Sequence, residues 1–209
     1  MNDMLLCITV LAMLAPLATV LLKRVTGISG APTLNEITSL TYTLNAADIA
    51  FDGTAHPVQK PTAGTKYSYW ASLCAVCSVA PVGGINNLAV YSDGSDTLGT
   101  GIGCNISTVA GTNGSITTNY TQATGTPGNT GLEMGANYGH SITTPTDFFT
   151  FTVSAPLSIL GTFTTGVDTA ANSAAGRFAD WFIQQLTVGT TGVTGVTPSE
   201  NLTLVWDEF

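Results

Sequence analysis

Charged side chains are scarce in this chain of 209 residues. Asp, Glu, Lys and Arg together make up 9% of it, against roughly a quarter in an average soluble domain. The net charge is −8, and Lys23–Arg24 is the one adjacent basic pair. Clustered cations of the kind that bind nucleic-acid phosphates are therefore missing. We expect no nucleic-acid partner.

Catalytic and cofactor motifs are also missing. The chain has no Gly-x-Ser-x-Gly motif, and its two histidines, His56 and His140, lie in loop-like sequence. Gly99–Gly103 lacks the lysine of a phosphate loop, and Asp93–Asp96 lacks the further carboxylates of a calcium loop. We predict no enzyme activity, no metal site and no cofactor. A surface hydrolase with two paired carboxylates is an alternative, drawn from a scattered set: Glu133, Asp147, Asp168, Asp180, Glu200, Asp207 and Glu208.

Cysteine is limited to four positions: Cys7, Cys74, Cys77 and Cys104. Cys74 and Cys77 have the spacing used by zinc and redox sites, but they lie in an alternating apolar run. In a strand, side chains three residues apart point to opposite faces, so these two thiols should diverge. We predict buried core cysteines, and a candidate disulfide from Cys77 to Cys104.

What the chain does contain is threonine (35 residues), glycine (23 residues) and 44% hydrophobic residues. Short β-branched and aromatic runs alternate between turn residues, which is typical of an all-β protein. This pattern predicts a mainly β fold, an antiparallel β-sandwich or jelly-roll-like head over residues 33–209. The predicted strands are Ile37–Leu44, Tyr67–Val79, Ile85–Tyr91, Asp147–Val153, Leu157–Phe163, and Ala179–Val188 paired with Asn201–Asp207.

The N-terminal segment contains nineteen consecutive residues without a charge, Met4–Leu22. As a helix they would span about 28 Å, close to the hydrocarbon thickness of a bilayer. We predict a hydrophobic helix over residues 1–26 and a linker over residues 27–32. The helix would be a membrane anchor or would be buried between subunits, and both interpretations rank ahead of a cleaved signal peptide.

Four Asn-x-Ser/Thr sequences, at Asn105, Asn113, Asn119 and Asn201, are candidate glycosylation sites if the head is exported. Most fall in or beside residues 110–140, which are rich in Gly, Thr and Asn and predict a long exposed excursion or a pair of edge strands.

Two resemblances accompany these patterns. A hydrophobic N-terminal helix followed by a Thr/Gly-rich β head is similar to the layout of archaeal pilin-like filament subunits. The ending, Phe178–Gly189, then a Gly/Thr loop, then Asn201–Phe209, resembles the closing hairpin of virion structural β-proteins. Both resemblances imply a structural subunit of a repeating exterior assembly, located on a virion surface or outside a cell.

We therefore expect a non-catalytic structural subunit that associates with copies of itself through the N-terminal helix and through uncharged sheet edges. Residues 4–22 would also make a membrane a candidate partner. An alternative is a glycan-binding adhesin or receptor-binding head. It would use exposed aromatic residues such as Trp70 or Tyr120 and hydroxyl-rich loops such as residues 110–140.

Overall fold

The computed structural model describes residues 19–51, 55–79, 85–109, 120–135, 145–159, 181–195 and 197–208. These residues form antiparallel sheets and one short 3₁₀ helix, so the prediction of a mainly β protein is confirmed. The strands are β1 (Thr19–Thr26), β2 (Thr33–Glu36), β3 (Thr65–Tyr67), β4 (Ala71–Val79), β5 (Ile85–Tyr91), β6 (Ile102–Val109), β7 (Gly125–Thr126), β8 (Thr130–Gly131), β9 (Thr146–Asp147), β10 (Leu157–Ser158), β11 (Trp181–Gly189) and β12 (Thr203–Glu208).

The larger sheet has nine strands and is organised around β11. One side of β11 pairs with β4 and then with β3, and its other side pairs with β6. Beyond β4 the sheet continues to β1 and β2, and beyond β3 it continues to β8 and β7, while β9 pairs with β6. The smaller sheet has three strands in the order β10-β5-β12.

A hydrophobic core lies between the two sheets, and we call it the inter-sheet core. The larger sheet contributes alternate residues of its central strands, and the smaller sheet contributes the inward face of β5. Its buried members include Val20, Leu22, Leu73, Ala75, Cys77, Ile102, Cys104, Ile106 and Phe182 from the larger sheet and Ile85, Leu88 and Val90 from the smaller.

The opposite face of the larger sheet carries a second core, which we call the outer core. It is covered by residues 120–135. This segment has few large apolar side chains, and most of them are buried. The members are Val25, Trp70, Cys74, Val76, Val109, Trp181 and Ile183 from the larger sheet and its adjoining residues, with Tyr69, Tyr120, Ala123 and Met134 packed against them. Because β4 and β11 are buried on both faces, they lie inside the sheet, where a continuous apolar run is expected.

A buried glutamine fastens this covering segment to the sheet. Gln185 Nε2 donates to the carbonyl oxygens of Ser68 and Leu132, each at 2.7 Å. Its Oε1 accepts from the backbone N–H of Met134, also at 2.7 Å. Residues 120–135 are thus only partly the exposed excursion that we expected. Of the two strands that they contain, β7 lies at the sheet edge and β8 lies between β7 and β3.

The predicted helix over residues 1–26 is wrong for its last eight residues, because Thr19–Thr26 form β1. Val20 and Leu22 face the inter-sheet core and Val25 faces the outer core, so a strand gives both sets of side chains a buried partner surface. The predicted linker is also wrong, since residues 27–32 are the loop between the paired strands β1 and β2. Residues 1–18 lie outside the described residues.

Among the residues that the structure describes, no helix is long and apolar enough to cross a membrane.

The strand predictions are best at β5 and β4. The structure confirms β5 at Ile85–Tyr91, and the Tyr67–Val79 run contains the last residue of β3 and the whole of β4, with residues 68–70 between them. The Ile37–Leu44 prediction is wrong, because these residues cross the sheet edge without strand pairing. The Asp147–Val153 prediction is also wrong, because Phe148–Thr150 form the 3₁₀ helix, capped by the Asp147 side chain.

The predicted C-terminal hairpin does not form. Trp181–Gly189 is a strand, as expected, but it pairs with β3, β4 and β6 in the larger sheet, while Thr203–Glu208 pairs with β5 in the smaller sheet. Strand β11 is buried on both faces, which requires neighbouring strands on both of its sides. The residues between β11 and β12 form a connection long enough to pass from one sheet to the other. The hairpin that carried the resemblance to virion proteins is therefore absent.

The predicted Cys77–Cys104 disulfide is a further correction. Both residues, together with Cys74, are buried free thiols. Cys104 lies opposite Leu186, whereas Cys77 lies four residues beyond Leu73, which is opposite Phe182. The two cysteines are therefore displaced by eight residues along the sheet, about 26 Å, with β11 between them. A disulfide needs Cα atoms within about 7 Å.

The prediction that Cys74 and Cys77 diverge is confirmed. Cys74 lies in the outer core and Cys77 in the inter-sheet core, on opposite faces of β4.

Candidate functional site

Three segments meet where β1 ends. They are the β1–β2 loop, the segment around Asp48 and the start of the segment that covers the outer core. Their polar contacts converge on one carboxylate, and we call Gly27, Asp48, Tyr120 and Gln122 the Asp48 cluster.

The Asp48 Oδ2 atom accepts three hydrogen bonds. The Gly27 N–H donates at 2.7 Å, Gln122 Nε2 at 3.1 Å and the Tyr120 hydroxyl at 3.3 Å. The Tyr120 hydroxyl also lies 3.0 Å from the Gly27 carbonyl oxygen, and its single proton serves these two acceptors in turn. Gly27 has φ +93°, a conformation that glycine adopts without steric cost.

Burial controls the electrostatics of this cluster. Burial raises the pKa of Asp48, against the opposing effects of the Gly27 and Gln122 hydrogen bonds and the Arg24 charge. Burial and the neighbouring Asp48 carboxylate raise the pKa of Tyr120, which therefore stays a neutral donor. Tyr120 also stacks on Trp181, with ring centroids 5.9 Å apart.

Arg24 lies beneath the cluster and is fully buried. Its Nη1 donates to the Thr43 carbonyl oxygen at 2.5 Å and to the Ala50 carbonyl oxygen at 3.4 Å. The guanidinium carbon lies 6.0 Å from the centre of the Tyr42 ring, within the range of a cation–π contact. Through these hydrogen bonds, Arg24 and Asp48 both hold residues 43–50 against the end of β1.

Exposed apolar side chains adjoin the cluster in sequence. Ile28 follows Gly27 and is 63% exposed, Ile49 follows Asp48 and is 41% exposed, and Phe51 follows Ala50 and is 48% exposed. Because each is next in sequence to a residue held at the cluster or at Arg24, the backbones of all three lie near the end of β1. We call these three residues the apolar rim.

The chemistry of the cluster favours a role in holding loops and presenting a surface. The hydrogen-bond donors to Asp48 are an amide, a phenol and a backbone N–H, whereas a paired-carboxylate hydrolase needs a second acid. In the described part of the chain, no three or more His, Cys, Asp or Glu residues come together as metal ligands.

Three of the carboxylates named for a hydrolase make hydrogen bonds to nearby structural groups. Glu200 Oε1 accepts from the Thr97 N–H at 2.9 Å, Asp147 caps the 3₁₀ helix, and Asp207 Oδ2 accepts from Asn87 Nδ2 at 2.7 Å. Asp168 and Asp180 lie outside the described residues.

Asp93 and Asp96 each accept a hydrogen bond from the backbone two residues further along the chain. The Asp93 Oδ1 atom accepts from the Ser95 N–H at 2.9 Å, and the Asp96 Oδ1 atom accepts from the Leu98 N–H at 3.0 Å. Such bonds within a turn are a common use of aspartate.

The aromatic residues named for glycan binding are buried. Trp70 is 2% exposed and Tyr120 is 4% exposed, and both belong to the outer core. The prediction that these two rings form an exposed binding face is wrong.

The candidate glycosylation sites differ in the solvent exposure of their asparagine side chains. Asn201 is exposed just before β12, whereas Asn105 is half-buried within β6, between β11 and β9. Asn113 and Asn119 lie outside the described residues.

Sequence reasoning missed both Arg24 and Asp48. A signal for Arg24 was present, because the alternation of β1 places it on the same face as Val20 and Leu22. Asp48 lies in irregular sequence, and no spacing indicated that Tyr120 and Gln122 would reach it.

Comparison of the chain with protein-family models, with curated proteins and with solved structures finds no match.

Proposed function

We propose that the chain is a non-catalytic structural subunit of a repeating exterior assembly, either a virion surface or an extracellular filament. Its head would be a sandwich, jelly-roll-like in connectivity, that associates with further copies. The observation that supports self-association best is the composition of the sheet margins.

The terminal strands are β2, β7 and β9 in the larger sheet and β10 and β12 in the smaller. These five strands contain no lysine or arginine. Of their few carboxylates, Glu36 pairs with Lys23, Asp147 caps the 3₁₀ helix and Asp207 bonds to Asn87. Lysine on an edge is a common means of preventing edge-to-edge pairing. Margins without it favour association with another chain.

Between the two roles predicted for the N-terminal segment, β1 favours contact with other subunits. Since Thr19–Leu22 belong to the sheet, the uncharged run left for a membrane is residues 4–18. As a helix these fifteen residues would be about 22 Å long, short of the roughly 30 Å hydrocarbon layer.

The rival functions lose specific support. The adhesin interpretation loses the two aromatic residues named for it, Trp70 and Tyr120, because both are buried. The hydrolase interpretation depended on a pair of carboxylates, and Asp48, which lay outside the set named from sequence, bonds to an amide and a phenol instead. An exterior location makes Asn201 the most accessible described position for a glycan.

The test is the mass and shape of the full chain in solution. Multi-angle light scattering and negative-stain electron microscopy should show concentration-dependent oligomers that grow into filaments, shells or sheets. A chain that stays monomeric from micromolar to millimolar concentration, with and without a bilayer present, would contradict the proposal.

A further inference from the structure

The apolar rim and Thr19, where the described chain begins, lie at opposite ends of β1. Strand β1 begins at Thr19, which pairs with Val79 at the end of β4. It runs for eight residues, about 23 Å, before Gly27 and the rim residue Ile28. The described chain therefore enters the head at Thr19, at the end of β1 remote from the rim.

The chemistry of the segment and that of the rim are complementary. Residues 4–18 contain no charged side chain and are mostly Leu, Ala, Met, Val and Ile. The rim presents the exposed side chains of Ile28, Ile49 and Phe51. The carboxylate of Asp48, next to Ile49 in sequence, accepts its hydrogen bonds from within the head. Apolar side chains exposed together on a protein surface commonly mark a site of interaction.

The geometry points to a head-to-tail contact in which residues 4–18 of one copy bind the apolar rim of the next copy. This inference rests on the proposed function, because it needs an assembling chain, and it names the two surfaces that meet. Unlike surfaces in contact generate a ring or an open filament, according to whether the rotation between copies closes.

The length of the segment permits the contact. Eighteen residues reach at most about 60 Å when extended. This is more than twice the length of β1, so the segment can reach the rim of a neighbouring head. The same length would allow the segment to fold back onto its own rim. The experiment must therefore separate binding between copies from binding within one copy.

Cys7 allows a direct test of whether the contact forms between copies or within one copy. It lies within residues 4–18, whereas Cys74, Cys77 and Cys104 are buried. We suggest mixing a Cys7→Ser/Ile49→Cys chain with the unaltered chain under mild oxidation. Contact between copies predicts covalent dimers between Cys7 of one chain and position 49 of the other, identified by peptide mass spectrometry. A chain with Ile49→Cys alone that gives only an internal Cys7–position 49 link would overturn the inference in favour of binding within one copy.

Charged substitutions provide the second measurement. Ile28→Asp with Ile49→Asp should raise the critical concentration for assembly at least about tenfold, since an unpaired carboxylate buried against apolar side chains is strongly unfavourable. The matched control is Val153→Asp, at an aliphatic residue that is 73% exposed and lies outside the rim. It should leave the critical concentration unchanged.

The outcomes distinguish the two proposals. If the full chain assembles but neither the cross-link nor the rim substitutions have an effect, the head-to-tail contact is wrong and the structural function stands. If the full chain never assembles, the proposed function fails. Flotation of the full chain with neutral lipid vesicles, lost on removing residues 4–18, would assign the segment to a membrane and would also overturn the contact.

Discussion

Asp48 and Arg24 are charged groups placed at the end of β1, where their neighbours are mostly uncharged. Asp48 accepts three hydrogen bonds at one oxygen, and Arg24 donates to two backbone carbonyl groups. Removing either partner of a buried polar contact costs more than the contact itself contributes. These two residues therefore determine how residues 43–50 are held against the sheet.

The pH dependence of the free energy of unfolding should show the raised pKa of Asp48. Its pKa in the folded chain is raised above its usual 3.8, so in that pH range the folded state binds more protons than the unfolded state. Its contribution to the free energy of unfolding therefore falls as pH rises from about 4 through the folded pKa.

Asp48→Asn removes this titration. The free energy of unfolding of the unaltered chain minus that of Asp48→Asn should decrease as pH rises from 4 to 7, measured by urea denaturation. Glu36, whose pKa is lowered by the Lys23 and Thr38 hydrogen bonds despite partial burial, acts in the opposite direction in both chains and cancels. A difference that stays flat or grows with pH would contradict this account.

Gly131 should tolerate no side chain. A Cβ there would lie 2.3 Å from the Ser68 carbonyl oxygen and 2.8 Å from the Tyr69 nitrogen. Gly131→Ala should lower the free energy of unfolding by about 2–3 kcal/mol, because backbone atoms would have to move.

Gly135 provides the matched control for Gly131. A Cβ there meets nothing within 4 Å, so Gly135→Ala should change the free energy of unfolding by about 0.5 kcal/mol or less. Equal effects of the two substitutions in urea titrations would show that β8 does not approach β3 as closely as described.

At the scale of the elements, β1 extends the folded head from the predicted start at residue 33 back to Thr19. It pairs with β2 on one side and β4 on the other, and it contributes to both cores. A head that began at residue 33, as the sequence suggested, would lack this strand.

Two truncations test that boundary. Removal of residues 1–18 should leave a cooperatively folded head with native near-ultraviolet circular dichroism. Removal of residues 1–26 should abolish cooperative unfolding, because β4 and β2 lose a shared partner and two cores lose apolar side chains. If the shorter chain unfolds with the same midpoint as the longer one, β1 is not part of the folded sheet.

At the scale of the whole molecule, both faces of the larger sheet are covered, and the cysteines are distributed between the two cores. Burial raises the pKa of Cys77, and burial with nearby carboxylates raises the pKa of Cys104 still further. Buried thiols of raised pKa react slowly, since the thiolate is the nucleophile.

A thiol titration with a disulfide reagent tests this arrangement in a Cys7→Ser chain. We expect almost no reaction in the native state and three thiols in denaturant. Two missing thiols in non-reducing denaturant would mean that a disulfide forms after all. Rapid reaction in the native state would mean that the larger sheet is not covered on both faces.

The sequence by itself determined the strand content and the divergence of Cys74 and Cys77, because side-chain alternation is a local property of an extended chain. It also predicted β5 to the residue and most of β4 and β11, whose apolar runs are long enough to specify burial. The same local signals were insufficient for residues 19–26, where a run of Val and Leu satisfies a helix and a strand equally well.

Only the tertiary structure decided which strands pair, and this reversed three expectations. The hairpin from β11 to β12, the Cys77–Cys104 bond and the linker at residues 27–32 each required knowing the partner of a strand. Pairing depends on contacts between residues far apart in the chain. Arg24, Asp48 and Tyr120 come together for the same reason: each is unremarkable alone, and their burial beside one another follows from the pairing of β1 within a sheet covered on both faces.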